Sequence, residues 1–346
     1  MNPTQIIETF FIALSVSYLL APFIRVVAIK INYLDHPKDN KVHAHPTPLL
    51  GGVSIFIAFL VAVMTKHQII SLSPVQAIIA GTFLLLVIGL VDDKMGMMPN
   101  FKLLGQFLAA MIIIKAGLRI TFISNYYLSV IVTYIWIIGI TNSFNLLDNM
   151  NGLSAGIAGI AAFFFGIIAY MDGQAVVSAL SLAVAGSSFG FLKHNFPKAS
   201  LFMGDAGSLI LGYLLSAIAM LGSWKSGMLT TSLMIPILVL GYPIFDTTLV
   251  SIMRTLEGRS IFQGGKDHSS HRLSLLGFKR FKAVLVIYAI CVFLGIVAIG
   301  VTKVRSNAGI LLGVFAFIVM LSLGIRLSFV DTKRFGRMKG ANGLDQ

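Results

Sequence analysis

An all-α, polytopic membrane protein is the architecture this sequence predicts. Of its 346 residues, 57% are hydrophobic and only 11% charged, and the mean hydropathy is +0.90. That composition suits lipid rather than a soluble core. Apolar runs long enough to cross, or nearly cross, a ~30 Å hydrocarbon layer recur along the whole chain. The ionisable residues between those runs gather on one side of the layer.

The runs cover 5–29, 49–65, 75–91, 103–117, 127–147, 153–171, 174–192, 204–222, 228–252, 283–301 and 308–330, giving eleven expected spans, of which 49–65 and 103–117 are short. Each should be helical, because lipid offers no other partner for backbone N–H and C=O groups. The first run has no small-residue cleavage site after a basic segment, so a retained helix is expected rather than a signal peptide. Gly152, Gly156 and Gly159 suit close helix packing. Residues 1–330 are expected to form one membrane domain and 331–346 a basic cytoplasmic tail, with no internal repeat. The single cysteine, Cys291, excludes an intrachain disulfide and a thiolate metal site.

Orientation follows from the basic residues. With the N-terminus outside, twenty Lys and Arg face inward and six outward, a strong positive-inside bias. The net charge of +13 is therefore assigned to loop orientation and the anionic leaflet rather than to nucleic acid. Of thirteen acids only Glu8 and Asp172 fall outside. Acids do not set topology, so their clustering points to chemistry at the cytoplasmic face, served by inward loops at 30–48, 92–102, 193–203 and 253–282.

Residues 194–208 contain Asp205 between Gly204 and Gly207, where an apolar run begins. A carboxylate beside hydrocarbon must be paired, solvated or metal-bound, and an acid at a helix start also fits an N-terminal cap. Asp92-Asp93 ends the third run. On a helix the two side chains point about 100° apart, so one should face the site and the other support it; a solvated pair at a helix end is the alternative. Lys102 could meet phosphate or anchor the next span. Asn142, Asn145 and Asp148 are spaced by three, on one helical face. Their oxygens suit Mg²⁺, which prefers hard oxygen ligands and retains water, although an interhelical hydrogen-bond network would use them too. His268, His271 and Arg272 on the last large inward loop fit phosphate or sugar better than zinc. Lys41 lies in a basic loop that could meet phosphate or follow from positive-inside bias alone. Asp246 sits inside a span, where Thr247 or Arg254 could satisfy it. Hard oxygens and cations, with no thiol nucleophile, match Mg²⁺-assisted phosphoryl chemistry, in which the protein mainly positions groups and neutralises charge.

Taken together and in order, these residues resemble the polyprenyl-phosphate N-acetylhexosamine-1-phosphate transferases. The resemblance runs from about residue 20 to 275. It rests on Lys41-Val42-His43 with Pro48 and Gly51-Gly52, Asp92-Asp93, Asn142 through Gly152, Phe202-Met203-Gly204-Asp205 with Gly207-Ser208, Phe245-Asp246-Thr247, and His268 with His271-Arg272-Leu273. It implies attack by a polyprenyl phosphate oxygen on the sugar-linked phosphorus of a UDP-N-acetylhexosamine, releasing UMP at the cytoplasmic face of a bacterial inner membrane. It further implies Mg²⁺, or Mn²⁺ in its place, on Asp205 and Asn145. Asp92 and Asp93 would be the catalytic acids and Lys102 a diphosphate ligand. Phe202 would stack on uracil, with Gly204 and Asn195 lining that pocket and Asp148 beside the nucleotide. Lys41 and Asn151 would join the set that binds UDP-sugar and phosphates; His268, His271 and Arg272 would meet sugar and phosphates. A lateral groove between spans would hold the polyprenyl tail. The bilayer is the implied surrounding, and the reading allows a homodimer.

Two departures stand out. Many bacterial members carry Asp-Gly-x-Asp-Gly where this chain has Asp148-Asn149-Met150-Asn151-Gly152, and Ser270 replaces the middle histidine of a His-x-His-His pattern. Asn149 can tolerate a left-handed backbone as glycine does, and Asn151 keeps an oxygen but loses a charge. The histidine pattern favours a simple UDP-amino-sugar donor such as UDP-GlcNAc over the muramyl-pentapeptide donor. A proton-coupled transporter and a non-catalytic lipid-binding homologue are the competing classes.

Overall fold

The computed structural model describes residues 1–35, 46–224, 229–261, 265–304 and 306–332. Helices account for nearly all of it. The long ones are α1 (Pro3–Lys30), α2 (Gly51–Met64), α4 (Ser73–Met95), α5 (Pro99–Lys115), α6 (Tyr126–Leu147), α7 (Leu153–Met171), α8 (Ala175–Asn195), α9 (Gly204–Leu221), α10 (Leu229–Val239), α11 (Gly241–Leu256), α13 (Arg280–Lys303) and α14 (Ser306–Ser328); α3 (His67–Ile70) and α12 (Ser269–Leu275) are short. Each expected apolar run coincides with a helix or helix pair. Among the described residues, eight helices are long and apolar enough to span a membrane, and one bent helix pair passes the same test when its two halves are taken together.

That pair corrects the expectation of one continuous helix over 228–252. Ser232–Val239 and Gly241–Leu256 meet at 72° around Leu240. Pro236 lies in the preceding turn, where its ring and missing N–H bend a helix. Pro243 sits in the first turn of α11, a position proline tolerates. α2 and α5 are also shorter than a full crossing, with 14 and 17 residues, or about 21 and 25 Å at 1.5 Å per residue.

The fold is not wholly helical. β1 (Leu34–Asp35) and β2 (Thr47–Pro48) pair antiparallel on either side of the segment 36–46. An isolated parallel bridge joins Leu49 to Phe202. Lys41 and its neighbours at 36–45 lie outside the described residues, as does the expected basic tail from residue 333 onward.

The core lies where α7, α8 and α9 are buried along most of their length, whereas α1 and α14 leave long apolar flanks outside the bundle. Phe11, Leu19 and Phe23 on α1 and Leu311, Phe317 and Ile318 on α14 are exposed, as lipid-facing side chains should be. α8 packs between α1 and α7. Gly186 and Gly190 let α8 approach the α1 backbone so closely that a Cβ at either would strike a carbonyl oxygen of α1. Gly156 and Gly159 instead lie beneath the rings of Tyr288 and Phe189, so they accommodate aromatic side chains rather than a neighbouring backbone.

α9 packs against α4 and α6, and α5 against α4 and α6. The C-terminal ends of α4 and α6 therefore meet the N-terminal ends of α5 and α9 on one side of the bundle. Toward the opposite side, Lys66 pairs with Glu8 at 2.8 Å, two residues expected on the outward face.

Candidate active site

Four helix ends place the acids. Asp92 and Asp93 lie in the last turn of α4, and the structure gives them different tasks. Asp93 turns to the start of α9, where its Oδ1 accepts from the Asp205 N–H at 2.8 Å and its Oδ2 from the Ala206 N–H at 3.2 Å. Those N–H groups have no intrahelical partner, and a carboxylate there also meets the positive end of the helix dipole. Asp93 thus caps a helix to which it does not belong. Asp92 accepts from the Met97 N–H at 2.6 Å through Oδ1 and holds Lys102 Nζ at 2.6 Å through Oδ2. The same ammonium bonds Asp205 Oδ2. One cation from the first turn of α5 therefore joins two carboxylates from α4 and α9.

Gly204 makes this approach possible. Its φ is +71° and a Cβ there would collide with the Asp93 carboxylate. Gly204→Ala should disturb the α9 start through both effects. We expect the backbone strain alone to cost about 1–3 kcal/mol, read as a lower thermal unfolding midpoint, and the displaced Asp93 to lower turnover at least tenfold.

Asn145, in the last turn of α6, donates through Nδ2 to Ser208 Oγ at 3.0 Å, and Ser208 Oγ lies 3.3 Å from the Asp205 carbonyl oxygen. Its amide is thereby fixed beside the first turn of α9, with Oδ1 as its ligand-type atom. Asp148 ends α6 as the C-cap. Burial, then repulsion from Asp205 and Asp93, pushes the Asp148 carboxyl up to about 8. Asn142, three residues before Asn145, leaves the set: it exchanges two hydrogen bonds with Gln106 of α5 at 3.0 and 2.9 Å. The shared helical face was legible, but its members have different partners.

Mg²⁺ fits this donor set. Among the described residues no three His, Cys, Asp or Glu side chains form a cage for a metal. Mg²⁺ needs no cage, since it commonly takes one or two protein oxygens and completes its shell with water and phosphate. Asp205 and Asn145 would supply those oxygens. That a cation already bridges Asp92 and Asp205 reflects the same attraction.

Two residues expected at the uracil have clear structural duties. Asn195 is buried; its Oδ1 accepts from the Gly152 N–H at 2.7 Å and its Nδ2 donates to the Leu201 carbonyl at 2.9 Å. It ties the 148–152 turn to the segment entering α9. Phe202 is half-buried, and its backbone is fixed by the bonds Phe202 N–H to Pro48 at 2.8 Å and Gly51 N–H to Phe202 at 2.9 Å. Asn151 donates weakly to the Pro197 carbonyl at 3.4 Å. The left-handed residue of this turn is Gly152, at φ +77°. Asn149 does not adopt positive φ, so the left-handed conformation that asparagine tolerates is not used here.

α11, α12 and the segment between them form a second, buried cluster. Asp246 is fully buried on α11, and its partners are neither Thr247 nor Arg254. Its Oδ2 meets His268 Nδ1 at 2.7 Å; its Oδ1 accepts from the Ser269 N–H at 2.7 Å and from Ser269 Oγ at 2.5 Å. Arg254 instead grips Asp267 with Nε at 2.8 Å and Nη2 at 2.7 Å, and Thr247 Oγ1 finds no partner among the described residues. The usable signal is an acid within an apolar run, seven residues before the basic segment 253–282. Arg272 is also buried. It donates to the carbonyls of Asp267 at 2.8 Å, Leu327 at 3.0 Å and Val330 at 3.1 Å, so it docks α12 on the end of α14. Burial, then repulsion from His268, Arg280 and Lys266, pushes the His271 imidazole down to about 4, leaving it neutral near pH 7. This cluster reaches the acids through Ser270, whose Oγ donates to Asn149 Oδ1 at 2.8 Å.

Comparison with known proteins places the chain in a family. The sequence model of glycosyl transferase family 4 matches residues 75–223, a segment that holds Asp92, Asp93, Lys102, Asn145, Asp148 and Asp205. A probable undecaprenyl-phosphate N-acetylglucosaminyl 1-phosphate transferase of Bacillus subtilis (strain 168) is 37% identical over 92% of this chain and 89% of its own length. The chain belongs to glycosyl transferase family 4. Two other relatives are more distant. A decaprenyl-phosphate N-acetylglucosaminephosphotransferase of Mycolicibacterium smegmatis is 29% identical over 82% of this chain and 78% of its own. A phospho-N-acetylmuramoyl-pentapeptide-transferase of Bacillus cytotoxicus is 28% identical over 84% and 94%. The family segment ends before Asp246 and His268, so the acid cluster is the part of the site that this glycosyl transferase family 4 match spans.

Proposed function

We propose that the protein transfers N-acetylglucosamine-1-phosphate from UDP-N-acetylglucosamine to a polyprenyl phosphate and releases UMP, the first membrane step of a cell-surface glycan. The observation that carries this reading is the meeting of Asp92, Lys102, Asp205 and Asn145 at four helix ends, in a chain 37% identical to a probable transferase of that kind. In the reaction a phosphate oxygen of the lipid forms a bond to the sugar-linked phosphorus, and the bond from that phosphorus to the oxygen retained by UMP breaks. Charge stays on oxygen throughout.

The attacking phosphate already carries about −1.5 to −2 charge at neutral pH, since its second pKa is near 6. It needs positioning and freedom from repulsion more than deprotonation. Asp93 is committed to the α9 start and acts by holding Asp205 in place. Asp92 restrains Lys102, which turns toward the diphosphate when the substrate enters. When bound, Mg²⁺ would neutralise diphosphate charge, with Asp205 and Asn145 as its protein ligands. His268, fixed by Asp246, and neutral His271 supply hydrogen-bonding groups on the loop above.

The same reading sets the protein in a bacterial inner membrane with eleven crossings, the short helices α2 and α5 included. The N-terminus is outside, and the active site and basic tail face the cytoplasm. The twenty-to-six division of basic residues supports it.

Asp148 gives the site a pH signature. With its carboxyl raised to about 8, it holds a proton at neutral pH, and an arriving cation favours the charged form and releases that proton. Mg²⁺ affinity should therefore rise as pH rises through about 8 and fall below it. Mg²⁺ titrations at several pH values should give tighter binding on the alkaline side; affinity that is flat with pH would remove Asp148 from the cation's surroundings. A donor panel tests the substrate. UMP release should be fastest with UDP-GlcNAc and slower with UDP-GalNAc, and a preference for UDP-MurNAc-pentapeptide would overturn the assignment.

A further inference from the structure

Asn149 and Ser270 lie 121 residues apart in the sequence and touch each other. Ser270 is fully buried on α12, and its Oγ donates to Asn149 Oδ1 at 2.8 Å. Asn149 is itself oriented, because its Nδ2 donates to the Leu146 carbonyl at 2.8 Å. α12 is held on α11 by Asp246, which bonds His268 and Ser269, and on the end of α14 by Arg272. Both of those attachments are charge-assisted, and neither reaches the acids. The Ser270–Asn149 contact does, since Asn149 follows Asp148 directly.

We propose that Ser270 and Asn149 form a strut that sets α12, and with it His268 and His271, at its distance from the acid cluster, so that the pair positions the donor-binding loop. The two positions should also be coupled in volume. Ser270 has no exposed surface, so a larger side chain there presses on Asn149, and a smaller residue at 149 yields space for it. Asn with Ser and Gly with His would then be alternative fillings of one site.

The role in turnover rests on the transferase reading, and the test separates the two. Full-length protein purified in detergent is assayed for UMP release from UDP-GlcNAc and polyprenyl phosphate, and each variant's thermal unfolding midpoint is measured. Losing one neutral hydrogen bond is worth roughly fivefold. Ser270→Ala should therefore raise the KM for UDP-GlcNAc about fivefold and leave kcat within about twofold, the signature of lost binding rather than lost chemistry. Ser270→His overpacks the site and should lower kcat/KM about fiftyfold. Adding Asn149→Gly should restore it to within about fivefold of wild type. In the midpoint measurements, Ser270→Ala, Asn149→Ala and the double variant should be non-additive, with the double no worse than the larger single.

Additive midpoint shifts would overturn the strut. So would an unchanged KM accompanied by fewer active molecules, or a Ser270→His loss that Asn149→Gly leaves untouched. Wild-type protein that releases no UMP would refute the transferase reading, and the midpoint cycle would still decide whether the strut exists.

Discussion

Asp205→Asn should abolish UMP release, with kcat falling by about 10³ or more, while the protein still inserts and folds. The expected size follows from losing the one carboxylate assigned to the cation together with its bond to Lys102, since preorganised charge at a phosphoryl-transfer site is commonly worth 10²–10³ per group. The fold should survive because Asp93 is held by the backbone N–H of residue 205, not by its side chain. Asparagine keeps that N–H, the shape and the helix start. Detergent-purified variant protein should elute and melt like wild type. Full activity in the variant would remove Asp205 from the mechanism.

Lys102→Met should lower kcat/KM by about 10²–10³ and, in the absence of nucleotide, bind a divalent cation more tightly than wild type. The two effects oppose each other for one reason. Lys102 Nζ lies on both Asp92 and Asp205, where it competes with an arriving cation for the same oxygens. Removing it leaves the acids without their internal counter-charge, which favours a metal ion. It also removes the ammonium expected to meet the diphosphate, which penalises catalysis. Mn²⁺ titration followed by its electron paramagnetic signal reads the first effect and UMP release the second. Weaker Mn²⁺ binding in Lys102→Met would contradict the competition.

Much of this site was legible because the chain is so apolar. Against hydrocarbon each acid stands out, and Asp92, Asp93, Asp148 and Asp205 were all identifiable from position alone. The expected division of labour within Asp92-Asp93 follows from helical geometry. What could not be read was the partner of each group. Spacing places Asn142, Asn145 and Asp148 on one face, but it does not say that Gln106 on another helix takes up Asn142. Nor does it say that Asn195 spends both amide atoms on backbone. Asp246 stands out as an acid within a span, but its partners, His268 and Ser269, depend on the bend at Leu240 that sets α11 against α12. That break was hidden because an apolar run reads the same whether straight or bent, and Pro236 alone gives no angle. The hydrogen bond between Asn149 and Ser270 joins segments whose separation in sequence conceals it.

The most direct test of the central claim is UMP release by the purified full-length protein from UDP-GlcNAc and polyprenyl phosphate, measured with Mg²⁺ and again after chelation. The arrangement of Asp205, Asn145, Asp92 and Lys102 predicts UMP formed in step with a lipid-linked sugar phosphate, lost on chelation and restored when Mg²⁺ is returned. UMP release that persists undiminished without a divalent cation, or no release under either condition, would contradict it.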